Sequence, residues 1–229
     1  LSDWQQVRAD LNASQTRLHG EVSLFGSVTA SYSMLTQILS KMRESCPGIE
    51  LKLRTGDQVE RVLASQDDSA IVATPGILPD KLAFLALRTT PLRLIGPKTP
   101  SPLSQQIDQI IAQNSEPNWV EMPMVLAERG LAREQLLTRL SALGEKPNIY
   151  AQVAGHEAVV SMVSLGFGVA VVPELVIEHS PKRDTVRVLP WLTDLQPFTL
   201  SLCVLKARIN DPLLQALWDC AQLTHPQSL

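Results

Sequence analysis

The pattern of apolar and polar residues predicts alternating strands and helices in the first third of the chain. Residues 21–25, "IELKLRT" (49–55) and "SAIVAT" (69–74) are short apolar or alternating runs of the kind that form strands. Between these runs, apolar residues recur every three or four positions, which favours amphipathic helices. A β-α-β-α-β order of this kind predicts right-handed crossovers and a parallel sheet.

The middle of the chain predicts a second α/β unit. "LAFLALRTTPLRLIGPK" (82–98) has the pattern of two strands divided at Thr90 and Pro91. "PMVLAE" (123–128) and "NIYAQVA" (148–154) have the pattern of strands that each lead into a helix. After two further strands, "TVRVLP" and "FTLSLCVLK", the chain closes with an amphipathic helix.

This order of elements predicts two lobes within one chain. We expect lobe one to contain residues 20–92 and 205–229, and lobe two to contain residues 93–204. Each lobe should hold a mostly parallel sheet flanked by helices, and two strands should cross between the lobes.

The stretch "HEAVVSMVSLGFGVAVVPE" (156–174) invites three interpretations. A zinc-protease helix needs a second histidine four residues after the first, but that position after His156 is a valine. A dinucleotide-binding loop follows a strand and precedes a helix, whereas Gly166 and Gly168 follow a helix and precede a strand. We therefore predict a helix, a structural glycine turn and a buried strand.

Composition narrows the class of protein. Of the 229 residues, 45% are hydrophobic and 19% are charged, which is typical of a soluble globular protein with one or two domains. The net charge of −3 and the lack of a Lys/Arg cluster argue against a chain that binds DNA by itself. Neither a metal site nor a catalytic nucleophile with its base is evident in the sequence, so we expect neither an enzyme nor a cofactor.

The three cysteines are scattered and show no metal-binding spacing, which fits a reducing cytoplasm. We see no apolar run as long as a membrane-spanning helix, which needs about 18 residues. A cytoplasmic protein is therefore the expectation.

Four segments, in this order, resemble the effector-binding domain of LysR-type transcriptional regulators. They are "LHGEVSLFGSVTASY", "CPGIELKLRTGD", "SAIVAT" and "GHEAVVSMVSLGFGVAVVPE". The resemblance implies an α/β fold of two Rossmann-like lobes, of the type 2 periplasmic-binding-protein kind, joined by two crossover strands. It also implies that residues 1–19 are the tail of a dimerisation helix, and that a winged helix-turn-helix that reads promoter DNA is absent from this chain. A homodimer, and a tetramer of the full-length protein, would follow.

A narrower resemblance is to regulators of isoleucine–valine biosynthesis, carried by "SVTASYS", "LRTGD" and the 156–174 stretch. Members of that group activate the gene for acetohydroxy acid isomeroreductase, and their inducers are that enzyme's substrates, acetolactate and acetohydroxybutyrate. The resemblance implies such an inducer between the lobes. The alternative is a periplasmic-type solute-binding protein for a small carboxylate, since that class shares the architecture.

Ligands of two-lobed α/β proteins lie at the carboxyl ends of strands, where helix N-termini point. The residues at predicted strand ends are the candidate effector ligands: Ser27, Val28, Thr29, Thr55, Gly56, Thr74, Glu128, Arg129, Gly130, His156 and Glu157. Backbone N–H groups at 27–29 suit a carboxylate, Arg129 suits an anion, and His156 suits a ketone or carboxylate. Structural explanations compete: Ser27 or Thr29 could cap a helix, and the helix dipole alone explains Glu157.

Overall fold

The computed structural model describes residues 18–26, 34–55, 67–74 and 79–225. The predicted dimerisation helix, except for Leu18 and His19, lies outside the described residues. The described chain forms two compact units, of which unit 1 comprises residues up to 89 and from 199, and unit 2 comprises residues 90–198. The proposed bounds of the lobes, at 92/93 and 204/205, stay a prediction.

The described part of the chain contains both strands and α-helices. The strands are β1 (Gly20–Gly26), β2 (Ile49–Thr55), β3 (Ser69–Thr74), β4 (Leu82–Thr90), β5 (Leu92–Pro97), β6 (Pro123–Ala127), β7 (Asn148–Val153), β8 (Ala170–Pro173), β9 (Val186–Val188) and β10 (Phe198–Leu205). The helices are α1 (Thr36–Ser45), α2 (Pro102–Ala112), α3 (Leu131–Ala142), α4 (His156–Ser164), α5 (Glu174–His179) and α6 (Pro212–Thr224).

Unit 1 is built on a five-stranded sheet in the order β2-β1-β3-β10-β4. Strands β2 and β3 both run parallel to β1, as the β-α-β pattern predicts, whereas β10 runs antiparallel to β3. Helix α6 packs on α1 and on β1, and it turns Leu214, Leu217 and Ala221 into the core. The amphipathic spacing of the closing helix thus provides an apolar face for this sheet.

A polar network fastens the start of β3 to β1 and to the segment before α6. The carboxylate of Asp68 accepts hydrogen bonds from the backbone N–H and the hydroxyl of Ser23, at 2.8 and 2.7 Å, and pairs with Arg208. Arg208 also contacts Asp211, which caps α6 through the N–H of Leu213 at 3.0 Å. Burial acts to raise the pKa of Asp68, but the Ser23 hydrogen bonds and the Arg208 guanidinium together lower that pKa below its usual value.

In unit 2 strand β5 runs in the direction opposite to that of the other strands. Strand β5 pairs antiparallel with both β8 and β9, whereas β6 runs parallel to β7 and makes a parallel bridge, Met124 to Val169, beside the start of β8. Strands β6 to β9 therefore share one direction, and β5, which enters from unit 1, runs against them. The expectation of a mostly parallel sheet holds for these four strands. Strand β5 here runs antiparallel to its neighbours and β10 in unit 1 runs antiparallel to β3, and each is the first strand after the chain passes between units.

The 156–174 stretch has the predicted helix, glycine turn and buried strand. Helix α4 ends at Ser164, and Gly166 has a backbone φ of +83°, a conformation that glycine adopts without strain. Gly168 is needed for a different reason, because a Cβ at that position would lie 2.7 Å from the carbonyl oxygen of Pro123. The two glycines are therefore explained by turn geometry and by close packing of β6 against the chain before β8.

Helix α5 was not predicted from the sequence. Pro173, which the pattern suggests as a stop, lies directly before the helix, a position where proline is well tolerated because helix N-termini have unsatisfied N–H groups. No helix among the described residues is long and apolar enough to span a bilayer.

Candidate functional site

Unit 2 brings two of the predicted strand ends together. Strands β6 and β7 are parallel neighbours, so their carboxyl ends lie at the same edge of the sheet. The backbone N–H of Glu128 donates to the carbonyl of Val153 at 3.0 Å, which joins the two ends directly. Helix α3 begins after Gly130 and α4 begins at His156. The predicted groups Glu128–Gly130 and His156–Glu157 are thus neighbours at one edge.

Both helices start at a glycine whose backbone is in a conformation that other residues rarely adopt. Gly130 has φ +105° and Gly155 has φ +79°, and neither position supplies a side chain to cap the N–H groups of the first turn. A Cβ at Gly130 would meet nothing within 4 Å, so the space in front of α3 is open on that side. The positive ends of two helix dipoles therefore face this edge, where they favour an anion or a hydrogen-bond acceptor.

The carboxylate of Glu157 changes the kind of ligand group that the start of α4 favours. Its Oε2 lies 3.3 Å from where a Cβ on Gly155 would be, so the carboxylate folds back over the start of its own helix. Both His156 and Glu157 are half-buried. A second anion beside this carboxylate would be repelled, whereas a hydroxyl could donate to it. The start of α4 therefore suits a neutral, polar group better than a carboxylate.

The start of α3 carries charges of both signs, with Arg129 and Arg133 beside Glu128 and Glu134. Arg129 is exposed, and within the described ranges it makes no ion pair. Arg133, in the first turn, donates from Nη1 to the carbonyl of Ala127 at 3.0 Å and so fixes the end of β6. Arg133 was not predicted from the sequence, although one signal was available: an arginine in a first helical turn opposes the dipole and so indicates a specific partner.

In unit 1 the described candidates are Thr55 and Thr74. Thr55 is the exposed last residue of β2. Thr74 donates from Oγ1 to the carbonyl of Thr199 at 2.9 Å and lies 3.2 Å from the hydroxyl of Ser201, so it fastens β3 to β10. This cross-strand role accounts for Thr74 without a ligand. Ser27, Val28, Thr29 and Gly56 lie outside the described residues, and the effector contacts of all the candidates stay predictions.

Threonines also hold the chain where it passes between the units, a feature that the sequence analysis missed. In unit 1 the hydroxyls of Thr89 and Thr199 are 2.9 Å apart. In unit 2 the buried hydroxyl of Thr90 accepts from the N–H of Leu175 at 3.2 Å and so holds the first turn of α5. These contacts join positions more than 80 residues apart, and local sequence carries no signal for them.

Cysteine and metal chemistry are not supported by the described residues. All three cysteines are buried free thiols. Burial raises the pKa of Cys203 and, with smaller charge effects, that of Cys220, each to about 12, so both stay protonated at neutral pH. Across residues 18–26, 34–55, 67–74 and 79–225, no group of three or more His, Cys, Asp and Glu side chains converges as a metal site.

The chain is similar to known proteins over nearly its whole length. The model of the LysR substrate binding domain matches residues 15–224. The HTH-type transcriptional activator IlvY of Salmonella typhimurium strain LT2 is 39% identical over 225 residues, which cover 95% of this chain and 74% of the relative. The HTH-type transcriptional regulator IlvY of Escherichia coli K12 matches to the same extent.

A solved structure agrees on the fold. The regulatory domain of Synechocystis PCC6803 CcmR, in complex with 2-PG, superposes with a TM-score of 0.73 at 17% identity, and the match covers 91% of this chain and 99% of that one. At this level of identity the similarity concerns the fold alone.

Proposed function

Since the chain belongs to the LysR substrate-binding domain family, we propose that it senses an acetohydroxy acid, acetolactate or acetohydroxybutyrate, for the control of acetohydroxy acid isomeroreductase expression in branched-chain amino acid biosynthesis. The chain is an IlvY-like effector-binding domain with the two-lobed fold of type 2 periplasmic-binding proteins. Its relatives are named as transcriptional regulators, so it is a regulatory domain and not an enzyme.

The observation that carries the proposal is the 39% identity to IlvY over 95% of the chain. This similarity extends over nearly the whole chain, and therefore over both units, and is not confined to a short motif. The alternative, a solute-binding protein, predicts relatives named for transport, whereas the relatives reported above are named for transcription.

The chemistry of the unit 2 edge supports an acetohydroxy acid. Such an acid carries a carboxylate, a tertiary hydroxyl and a ketone, so a site for it needs both anion-binding and neutral polar groups. We propose that the carboxylate of the effector binds at the N–H groups of residues 27–29 and that its hydroxyl and ketone bind near His156. The carboxylate of Glu157 over the start of α4 supports this orientation, because it disfavours a second anion there.

Regulation then requires that the effector prefer one arrangement of the domain over another, since a ligand with equal affinity for two states shifts neither. Regulators of this family bind small-molecule effectors and promoter DNA, and they oligomerise. An effector coupling of about 1–3 kcal/mol, or about 5- to 150-fold in promoter affinity, is typical of allosteric proteins. We propose that binding alters the lobe angle or the packing of dimers and so repositions the DNA-reading domains of the full-length regulator.

Calorimetric titration tests the effector. Acetolactate and acetohydroxybutyrate should bind, whereas 2-hydroxyisobutyrate, which keeps the tertiary hydroxyl but lacks the ketone, and 2-oxoisovalerate, which lacks the tertiary hydroxyl, should bind more weakly. Ser27→Ala, Thr29→Ala and His156→Ala should each weaken binding by about 1.5–3 kcal/mol, the value of a hydrogen bond to a charged group. Thr138→Ala, an exposed change in the middle of α3, is the matched control and should bind normally.

Two results would contradict the proposal. If neither acetohydroxy acid binds while an unrelated acid from a wider panel does, the effector is misassigned. If all three site variants bind as the wild type does, the site lies elsewhere in the domain.

The homodimer expected for this family is tested separately. Light scattering of the concentrated protein should give a mass above the 25.1 kDa of one chain. A mass that stays at the monomer value at every concentration would refute a stable dimer of this domain.

A further inference from the structure

Unit 2 contains a surface cavity that the proposed effector site does not use. The cavity has a volume of about 570 Å³, within the range of small-molecule sites, and lies where the carboxyl-terminal end of α3 meets the loops before β6 and after β9. The candidate effector edge is at the opposite end of α3. A helix rises about 1.5 Å per residue, so the first residue of α3 and Leu143 are about 18 Å apart.

The walls of the cavity are held in place by several polar contacts. Arg139 pairs with Asp194 at 2.7 Å, and the indole N–H of Trp191 donates to the carbonyl of Ser115 at 3.2 Å. Leu192, also in the wall, has a backbone φ of +53°, which costs energy for a residue with a side chain. A fixed wall reduces the ordering cost of binding a ligand.

The charge of the lining is unbalanced. Three carboxylates, of Glu116, Glu145 and Asp194, face one guanidinium, and that guanidinium is already engaged with Asp194. Within the described residues, Glu116 and Glu145 make no ion pair. The carboxyl-terminal end of α3 adds the negative end of a helix dipole at the same place. Both features favour a cation.

The apolar part of the lining limits which cations fit. The lining includes two nearly buried indoles, of Trp119 and Trp191, with Pro190 and with Leu143, which is 45% exposed. A hydrated metal ion gains nothing from such surfaces, whereas an aliphatic stem does. We infer that this cavity binds a small organic cation, an amine or guanidine on a short aliphatic chain, at a site separate from the effector site.

Agmatine, a guanidinium and an amine joined by four methylenes, is the probe for this site, and N-butylurea is its neutral counterpart. Isothermal titration at low salt should show saturable binding of agmatine and much weaker binding of N-butylurea. The double variant Glu116→Gln/Glu145→Gln should bind agmatine about ten-fold more weakly, and added salt should weaken wild-type binding because these charges are partly exposed. Glu121→Gln removes an exposed carboxylate of the same unit outside the cavity and should bind as the wild type does.

The inference fails if agmatine shows no saturable binding at millimolar concentration. It also fails if N-butylurea binds equally well, or if Glu121→Gln weakens agmatine binding as much as the double variant does, because attraction would then be a general surface effect. Circular dichroism and thermal melting of the double variant should match the wild type, and acetohydroxy acid titration should be unchanged, since the cavity is remote from the start of α3.

Discussion

Replacing Gly168 by alanine should destabilise the chain by about 1–3 kcal/mol, the usual cost of overpacking a tight site. A Cβ there would lie 2.7 Å from the carbonyl oxygen of Pro123 and 3.1 and 3.2 Å from two backbone carbons. The oxygen cannot easily yield, because it accepts the N–H of Val169 at 2.8 Å, and the carbonyl of Val169 in turn accepts the N–H of Val125 at 2.9 Å. The methyl group therefore has to separate β6 from the chain before β8.

Gly144→Ala is the matched control, because a Cβ at Gly144 would meet no neighbouring atom, unlike a Cβ at Gly168. Gly144 has φ +75° and nothing within 4 Å of a new Cβ, so alanine there costs only backbone strain, about 1 kcal/mol. Urea unfolding gives the two stabilities, and native-state hydrogen exchange locates the damage. Only Gly168→Ala should speed exchange of the Val169 and Val125 amides. If Gly168→Ala unfolds at the same urea concentration as the wild type, with those amides still protected, the packing argument is refuted.

Local chemistry in the sequence was sufficient to predict most of the succession of elements, with α5 as an exception, and the edge of unit 2 where β6 and β7 end. Glycines that begin α3 and α4 within three residues of the end of a strand are short-range signals, as is the glycine turn at 166–168. These signals succeed because turn conformation and helix starts are decided within a few residues. They identify where a ligand site is expected, but not which side chain contacts the ligand.

Contacts between residues far apart in the sequence were not predictable, and one of them engages the side chain of a candidate ligand residue. Thr74 looked like a strand-end ligand, yet its hydroxyl is engaged with Thr199, 125 positions away. The antiparallel direction of β10 likewise depends on where the chain returns from unit 2. The cavity of unit 2 is assembled from three separate segments, and no single one of them resembles a site on its own.

Three further predictions concern stability and reactivity. Leu217→Ala should cost about 2–5 kcal/mol in urea unfolding without altering effector binding, because Leu217 is fully buried in the core, whereas Leu223→Ala, 65% exposed on the same helix, should cost little. Cys203 and Cys220 should not react with Ellman's reagent at pH 8 until urea unfolds the chain, because burial raises the pKa of each to about 12 and only thiolates react; fast native labelling would contradict that burial. Asp68→Asn should lower the free energy of unfolding by about 1.5–3 kcal/mol near neutral pH, since the variant loses the charged hydrogen bonds of the Asp68 carboxylate. The folded-state pKa of Asp68 is lowered, so its contribution is complete above the unfolded pKa of roughly 3.9 and is lost as the pH falls through the folded value. The stability difference between wild type and Asp68→Asn should therefore shrink in acid, and a difference that stays constant from neutral pH down to acid unfolding would show that the carboxylate charge does not stabilise the fold.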